Sequence, residues 1–183
     1  MIKVGISGKI ASGKSEVEKI IKNEGFLVFD LDIISHILLE KDDYIKSCVQ
    51  KEFKTLNRKE IGEIVFKNSS KRKKLENIIY PKLESAIFEL FEKYKNEKAI
   101  FVSGALLFKS GFYKMFDKTI FVNAKDDIRL ERLMKRNNLD KNEAKKRLNL
   151  QDEPIFPDFL INNNEDLNKL NKSVLEVLAK INQ

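Results

Sequence analysis

The sequence predicts an α/β fold in three layers, with a five-stranded parallel sheet covered by helices on both faces. Three observations carry this expectation. Short, continuously apolar runs alternate with segments of helical period, the pattern of strands buried on both faces. The first run leads directly into a glycine-containing loop that opens a helix. No Pro/Gly/Ser-rich linker divides the 183 residues, of which 42% are hydrophobic, so a single domain over 1–183 with a sizeable core is expected.

Residues 2–6 read as a short buried strand bounded by Gly5 and Gly8. Residues 14–23 place Val17, Ile20 and Ile21 at helical spacing, and Gly25 is a stop just beyond. Residues 26–29 form a second apolar run, too short for a helix and ending in Asp30. Residues 33–54 are helical in pattern, interrupted around Asp42 and Asp43. Helices follow over 57–66 and 71–94, and Pro81 is expected to kink or split the second. Strands three, four and five are expected at 99–102, 119–122 and 159–161, with helices near 127–136 and 141–150 between the last two. Residues 165–181 close the chain, with Leu167, Leu170, Val174, Leu178 and Ile181 on one stripe. The all-helical stretch between strands two and three exceeds what an α/β repeat needs. It reads as an insertion, and insertions of that kind often hold a second substrate.

Composition narrows the setting. Cys48 is the only cysteine, which excludes an internal disulfide and a thiolate metal cluster. The longest nearly apolar stretch, 99–108, is half a membrane span, and the N-terminus has no signal-peptide pattern. A cytoplasmic protein is expected. The 35 Lys+Arg against 28 Asp+Glu give a net charge of +7. That excess fits attraction for polyanions, nucleoside triphosphates included, or simply a lysine-rich surface. The basic run 71–74 lies in a helical pattern with Leu75 and Ile78 and reads as a solvated face.

The strongest signal is Gly8-Lys9-Ile10-Ala11-Ser12-Gly13-Lys14-Ser15, a full match to G-x-x-x-x-G-K-[ST]. Gly8 and Gly13 permit backbone angles that let successive N–H groups converge on phosphate oxygens. The helix that starts near Lys14 adds its positive end to the same place. Lys14 is placed to reach β- and γ-phosphates, and the Ser15 hydroxyl to ligate Mg²⁺. Asp30-Leu31-Asp32 follows at the end of the second strand, where open α/β sheets bind ligands. Strand alternation would set Asp30 and Asp32 on one side, one carboxylate to accept or orient the proton of an attacking hydroxyl and the other to support Mg²⁺. A helix N-cap is the simpler reading of either Asp taken alone.

With these residues in view, the chain resembles the dephospho-CoA kinase family. The resemblance runs through residues 5–15, Gly25 and 28–34, then Leu56-Asn57-Arg58, Val65-Phe66, Leu75-Glu76 and Tyr80-Pro81. It continues in Leu106-Leu107-Phe108, Ser110-Gly111, residues 129–136, Arg147-Leu148, Gln151, Asp158 and Ile161-Asn162-Asn163. Departures are few. Lys9 and Ala11 stand where the family's loop usually has glycine, and Glu16 where it has threonine. His36 replaces an arginine, Tyr80 a histidine, Ala105 a proline and Lys109 a glutamate.

The resemblance implies a three-layer P-loop kinase fold with a helical acceptor-binding region at 33–97 and a lid at 134–152. It implies phosphorylation of the ribose 3′-hydroxyl of dephospho-CoA by MgATP, the last step of coenzyme A synthesis. Asp32 is then the catalytic base or hydroxyl-orienting residue, and Lys14 neutralises the transferred phosphoryl. Ser15 and Asp30 support Mg²⁺, and the backbone of Gly8, Ala11, Ser12, Gly13, Lys14, Ser15 and Glu16 wraps the phosphates. Arg136, which ends its helix where a hinged cover would close, is expected to stabilise charge during transfer, since guanidinium matches phosphate oxygens bidentately. Arg132 and Arg147 are further lid candidates, and Asn163 is expected near the adenine. His36, beside Ile33 and Ile37, reads as a structural histidine or as a contact to substrate phosphate, and Cys48 as a small core residue. The expected partner is a small molecule, without nucleic acid or membrane, for a monomer or weak homo-oligomer. Another small-molecule or nucleoside monophosphate kinase is the first alternative. A P-loop switch is the second, and Ser103-Gly104, where a switch would carry an acidic residue after strand three, counts against it.

Overall fold

The computed structural model describes residues 1–148 and 156–181. In chain order its elements are β1 (Ile2–Gly8), α1 (Lys14–Asn23), β2 (Leu27–Asp30), α2 (Leu31–Lys41), α3 (Asp43–Phe53), α4 (Arg58–Lys67) and α5 (Ser69–Lys93). They continue with β3 (Ala99–Ser103), a 3₁₀ turn (Phe112–Met115), β4 (Lys118–Asn123), α6 (Asp126–Asn137), α7 (Lys141–Leu148), β5 (Phe159–Asn162) and α8 (Leu167–Ile181). They divide into two compact units, one of Met1–Asp30 with Lys95–Gln183 and the other of Leu31–Tyr94.

The first unit is built on a five-stranded sheet in the order β2-β3-β1-β4-β5, parallel throughout. Every residue of β3 is buried, as is Val4 to Gly8 of β1, which explains their unbroken apolar character. Val17 and Ile21 of α1, and Leu170, Val174, Leu178 and Ile181 of α8, pack against Val4, Ile6, Phe101, Ile120 and Val122 of the sheet. Each such side chain contributes about 1.5–3 kcal/mol on leaving water. Gly25, at φ 86, ends α1 in the left-handed conformation that the sequence foreshadowed. The 3₁₀ turn has no periodic signal and was not expected.

The second unit is helical, and its breaks are capped by side chains. The interruption expected near 42 and 43 is the N-cap of α3, where Asp42 accepts from the Ile45 N–H at 3.0 Å. Asn57 caps α4 by accepting from Lys59 and Glu60, and Asn68 caps α5 by accepting from Lys71. Two expectations are corrected here. Pro81 does not split its helix, because α5 runs unbroken for 25 residues through it. Ile79, Leu83, Ile87 and Phe91 are buried at four-residue spacing on both sides of the exposed Pro81, and that burial outweighs one lost backbone bond. The basic run 71–74 is not simply solvated either. Lys71 and Lys74 both reach Glu52 Oε1, at 2.7 and 2.8 Å, and Arg72 Nε donates to the Val65 carbonyl at 3.3 Å. These two lysines hold the Glu52 carboxyl down at about 2, far below its usual range. Among the described residues no helix is long and apolar enough to cross a membrane.

Candidate active site

The loop between β1 and α1 is fixed by its own peptide groups and by two later elements. Lys9 N–H donates to the Val122 carbonyl of β4 at 3.1 Å, and Ser12 N–H turns back to the Lys9 carbonyl at 3.0 Å. A Cβ on Gly8 would stand 2.7 Å from that same Val122 oxygen, so β1 can lie this close to β4 only with glycine there. Ala11 adopts φ 60 and Gly13 φ 95, the left-handed angles of a loop whose amides converge. Gly13 is doubly required, since a Cβ there would collide with the Asn163 amide nitrogen.

The outward carbonyls of this loop are held by side chains. Asn163, 6% exposed just past β5, donates Nδ2 to the Ser12 carbonyl at 2.9 Å, and Arg132 Nη1 reaches the same oxygen at 3.3 Å. Arg129 of α6, 3% exposed, donates Nε to the Ile10 carbonyl at 3.0 Å and Nη1 to Asp126 Oδ1 at 2.8 Å. Lys14 starts α1, and its Nζ lies 2.6 Å from Glu18 Oε1 and 3.3 Å from Ser103 Oγ. Ser103, noted in the sequence only for not being acidic, is thus a fully buried partner of the loop lysine. Ser15 and Glu16 occupy the first turn of α1, Ser15 exposed. The first-turn amides of a helix have no acceptor within it, so this turn offers donors and a positive end to an anion.

Asp30 is the last residue of β2, half-buried and in register with Ser103. The next residue already belongs to α2, so Asp32 is an exposed residue of a helical first turn, not the second carboxylate of an alternating strand. The alternation argument therefore fails: Leu31 goes inward and is 4% exposed. Asp32 instead lines a cleft of about 330 Å³ within the second unit. Ser35, His36 and Arg58 share its rim, and Ile61 and Ile79 are among its apolar walls. His36 Nε2 lies 2.7 Å from Glu40 Oε1, and Arg58 Nη1 is 2.9 Å from His36 Nδ1. Arg58 Nη1 is almost as close to Nε2, at 3.0 Å, so the guanidinium lies at nearly equal distance from both ring nitrogens. His36 is therefore not the packed histidine of an apolar face, and Ile33 and Ile37 beside it are 59% and 46% exposed. On α5, burial raises the Tyr80 hydroxyl to about 12, with the Glu76 carboxylate adding to the effect.

Arg136 ends α6 exposed, with Nε on Asn137 Oδ1 at 3.0 Å, and Asn138 turns left-handed at φ 49 to close the helix. Arg147 is exposed on α7. Residues 149–152 of the expected lid lie outside the described residues. Arg129 is the residue that sequence reasoning missed. It has the same type as the lid arginines and shares α6 with Arg132 and Arg136, and nothing in the sequence marks it as buried.

A parallel sheet in this order, with the phosphate loop at the mouth of its central strand, defines a P-loop kinase. The solved shikimate kinase from Bacteroides thetaiotaomicron shares that fold, with a TM-score of 0.54 at 16% identity over 100% of this chain and 99% of the other. The family pattern described as dephospho-CoA kinase matches residues 2–169. A dephospho-CoA kinase of Listeria innocua is 35% identical, covering 97% of this chain and 96% of that protein. The solved dephospho-CoA kinase from Campylobacter jejuni is 30% identical, with a TM-score of 0.71 over 98% of this chain and 96% of the other. The chain belongs to the dephospho-CoA kinase family, and its function is ATP-dependent phosphorylation of dephospho-CoA in coenzyme A synthesis.

Proposed function

We propose that the chain transfers the γ-phosphoryl group of ATP to the ribose 3′-hydroxyl of dephospho-CoA, giving coenzyme A and ADP. The observation that carries this reading is the braced phosphate loop, with its carbonyls held outward at Ile10 and Ser12 and Lys14 at its end. The amides of Ala11 to Glu16 wrap the α- and β-phosphates, and Gly8 permits the turn. Lys14 neutralises the phosphoryl group in transit, moving from Glu18 to phosphate oxygen.

Among the described residues no group of three or more His, Cys, Asp or Glu stands together to cage a metal. The donor set fits Mg²⁺ all the same. That ion binds hard oxygens, keeps several waters, and takes only one or two protein ligands beside substrate phosphates. The Ser15 hydroxyl and the Asp30 carboxylate are the two we assign to it. When bound, Mg²⁺ would supply neutralisation of the phosphate charge.

Asp32 accepts or orients the proton of the acceptor hydroxyl. It lines a cleft of its own unit with Ser35, His36 and Arg58, a rim suited to a polar, anionic acceptor. Arg136 and Arg147 act from the lid, at 134–152, on the phosphate charge that develops during transfer. Asn163 contributes to the nucleotide site from the loop side. The enzyme works on small molecules in the cytoplasm, as a monomer or weak homo-oligomer, apart from nucleic acid and membrane.

ADP release with and without dephospho-CoA tests the reading. Turnover should require dephospho-CoA and ATP together. Equal turnover with adenylate or shikimate as acceptor, or hydrolysis without any acceptor, would overturn it.

A further inference from the structure

We infer that Arg129 is a positioning residue of the phosphate loop, aiming the Ala11 amide at bound phosphate by holding the other end of the same peptide group. The inference rests on the proposed nucleotide site and names a residue that does not touch the nucleotide itself.

In a trans peptide the C=O of one residue and the N–H of the next point in opposite directions and rotate as one unit. The Ile10 carbonyl and the Ala11 N–H are such a pair. Arg129 Nε takes the Ile10 carbonyl at 3.0 Å, so the Ala11 N–H must face away from α6. Ala11 is a non-glycine residue at φ 60, a conformation that L side chains adopt only when their surroundings hold them there. The contact from Arg129 falls on the peptide that precedes this strained residue. Two peptide groups further on, the Asn163 amide on the Ser12 carbonyl orients the Gly13 N–H in the same manner.

The state of the guanidinium argues that Arg129 is kept for this contact and not for stability. Arg129 is 3% exposed, and its one carboxylate partner among the described residues, Asp126, has a side chain 83% exposed. Nη2 is buried and has no hydrogen-bond partner among the described residues. A buried, incompletely satisfied charge is a poor stabiliser, and an apolar side chain of the same length would pack there at no such cost.

The test uses Arg129→Met, which keeps length and burial, and Arg129→Gln, whose amide can still donate to the Ile10 carbonyl. ADP and dephospho-CoA affinities are measured by calorimetry on the full chain, alongside the melting temperature and the KM and kcat for ATP. Arg129→Met should weaken ADP binding and raise the KM for ATP roughly tenfold, as expected for losing a charged donor. Affinity for dephospho-CoA should stay within about twofold, and Arg129→Gln should recover most of the loss. If Arg129→Met binds ADP as wild type does, the inference is wrong. It is equally wrong if only the melting temperature falls, since that is what a structural role predicts. Should Arg129→Met not fold, Arg129→Gln is compared with Arg129→Ala on ADP affinity, and equal losses in the two count against the inference. A wild-type chain that does not bind ADP would remove the nucleotide site itself, and the inference with it.

Discussion

Lys14 stands 2.6 Å from Glu18 Oε1 and 3.3 Å from Ser103 Oγ, so a triphosphate must compete with a carboxylate for its charge. Both side chains of the Lys14–Glu18 pair are largely buried, 17% and 11% exposed, which limits screening by solvent. Glu18→Gln keeps the shape of α1 and removes the competitor. It should tighten ATP binding by up to about fivefold, the value of a modest ion pair. Weaker binding in a calorimetric titration would instead make Glu18 the group that holds Lys14 ready. Asp32 calls for a different measurement. Asp32→Asn preserves its shape and one hydrogen-bonding oxygen but loses basicity, and kcat should fall by about 10²–10⁴-fold. ATP affinity should hold, since Lys14, Ser15 and the loop amides remain. A variant with full kcat would mean that Asp32 is only a first-turn residue of α2, where acidic side chains are favoured by the helix end alone.

At the scale of elements, α3 and α5 are tied by Glu52, whose carboxylate answers both Lys71 and Lys74. Its pKa is lowered in the fold from about 4.5 to about 2, so the folded form binds its proton more weakly than the unfolded chain. Stability from this group is therefore fully present above about pH 4.5 and is lost as pH falls through about 2. Thermal melts of wild type and Glu52→Gln should differ at pH 7 and converge as pH approaches 2. A constant difference over that range would place the contribution in packing. Elements with a local cause were legible in the sequence. Glycine follows α1, asparagines and Asp42 precede helices of the second unit, and the strands are short apolar runs. Pro81 misled because the burial of Ile79 and Leu83 is a tertiary fact, and the 3₁₀ turn at 112–115 has no period to read. The phosphate loop was legible for the same local reason, as motif and helix start coincide. The buried state of Arg129 was not, since it depends on where α6 crosses the loop some 119 residues earlier in the chain. Strand alternation gives Asp32 a face only if the strand runs on to it, and a helix start two residues earlier than expected, at Leu31, removes that ground.

At the scale of the molecule, the first unit is assembled from two stretches of chain and the second from one. This discontinuity sets an order for synthesis. β1 leaves the ribosome well before its neighbours in the sheet, β3 and β4, which lie about a hundred residues later. An apolar strand without partners must wait, while α2 to α5 pack against one another within a single stretch of chain. Local contacts form fast and distant strand pairing forms slowly. In a refolding chain, pulsed hydrogen exchange should find amides of α3 and α5 protected before those of β1. Simultaneous protection would mean that the insert cannot hold its shape alone. For the cell, the waiting strand is the exposed stretch of a nascent kinase. A ribosome stalled before residue 99 would present residues 2–8 as a bare apolar strand, and that segment is where a chaperone holding the unfinished chain has most to shield.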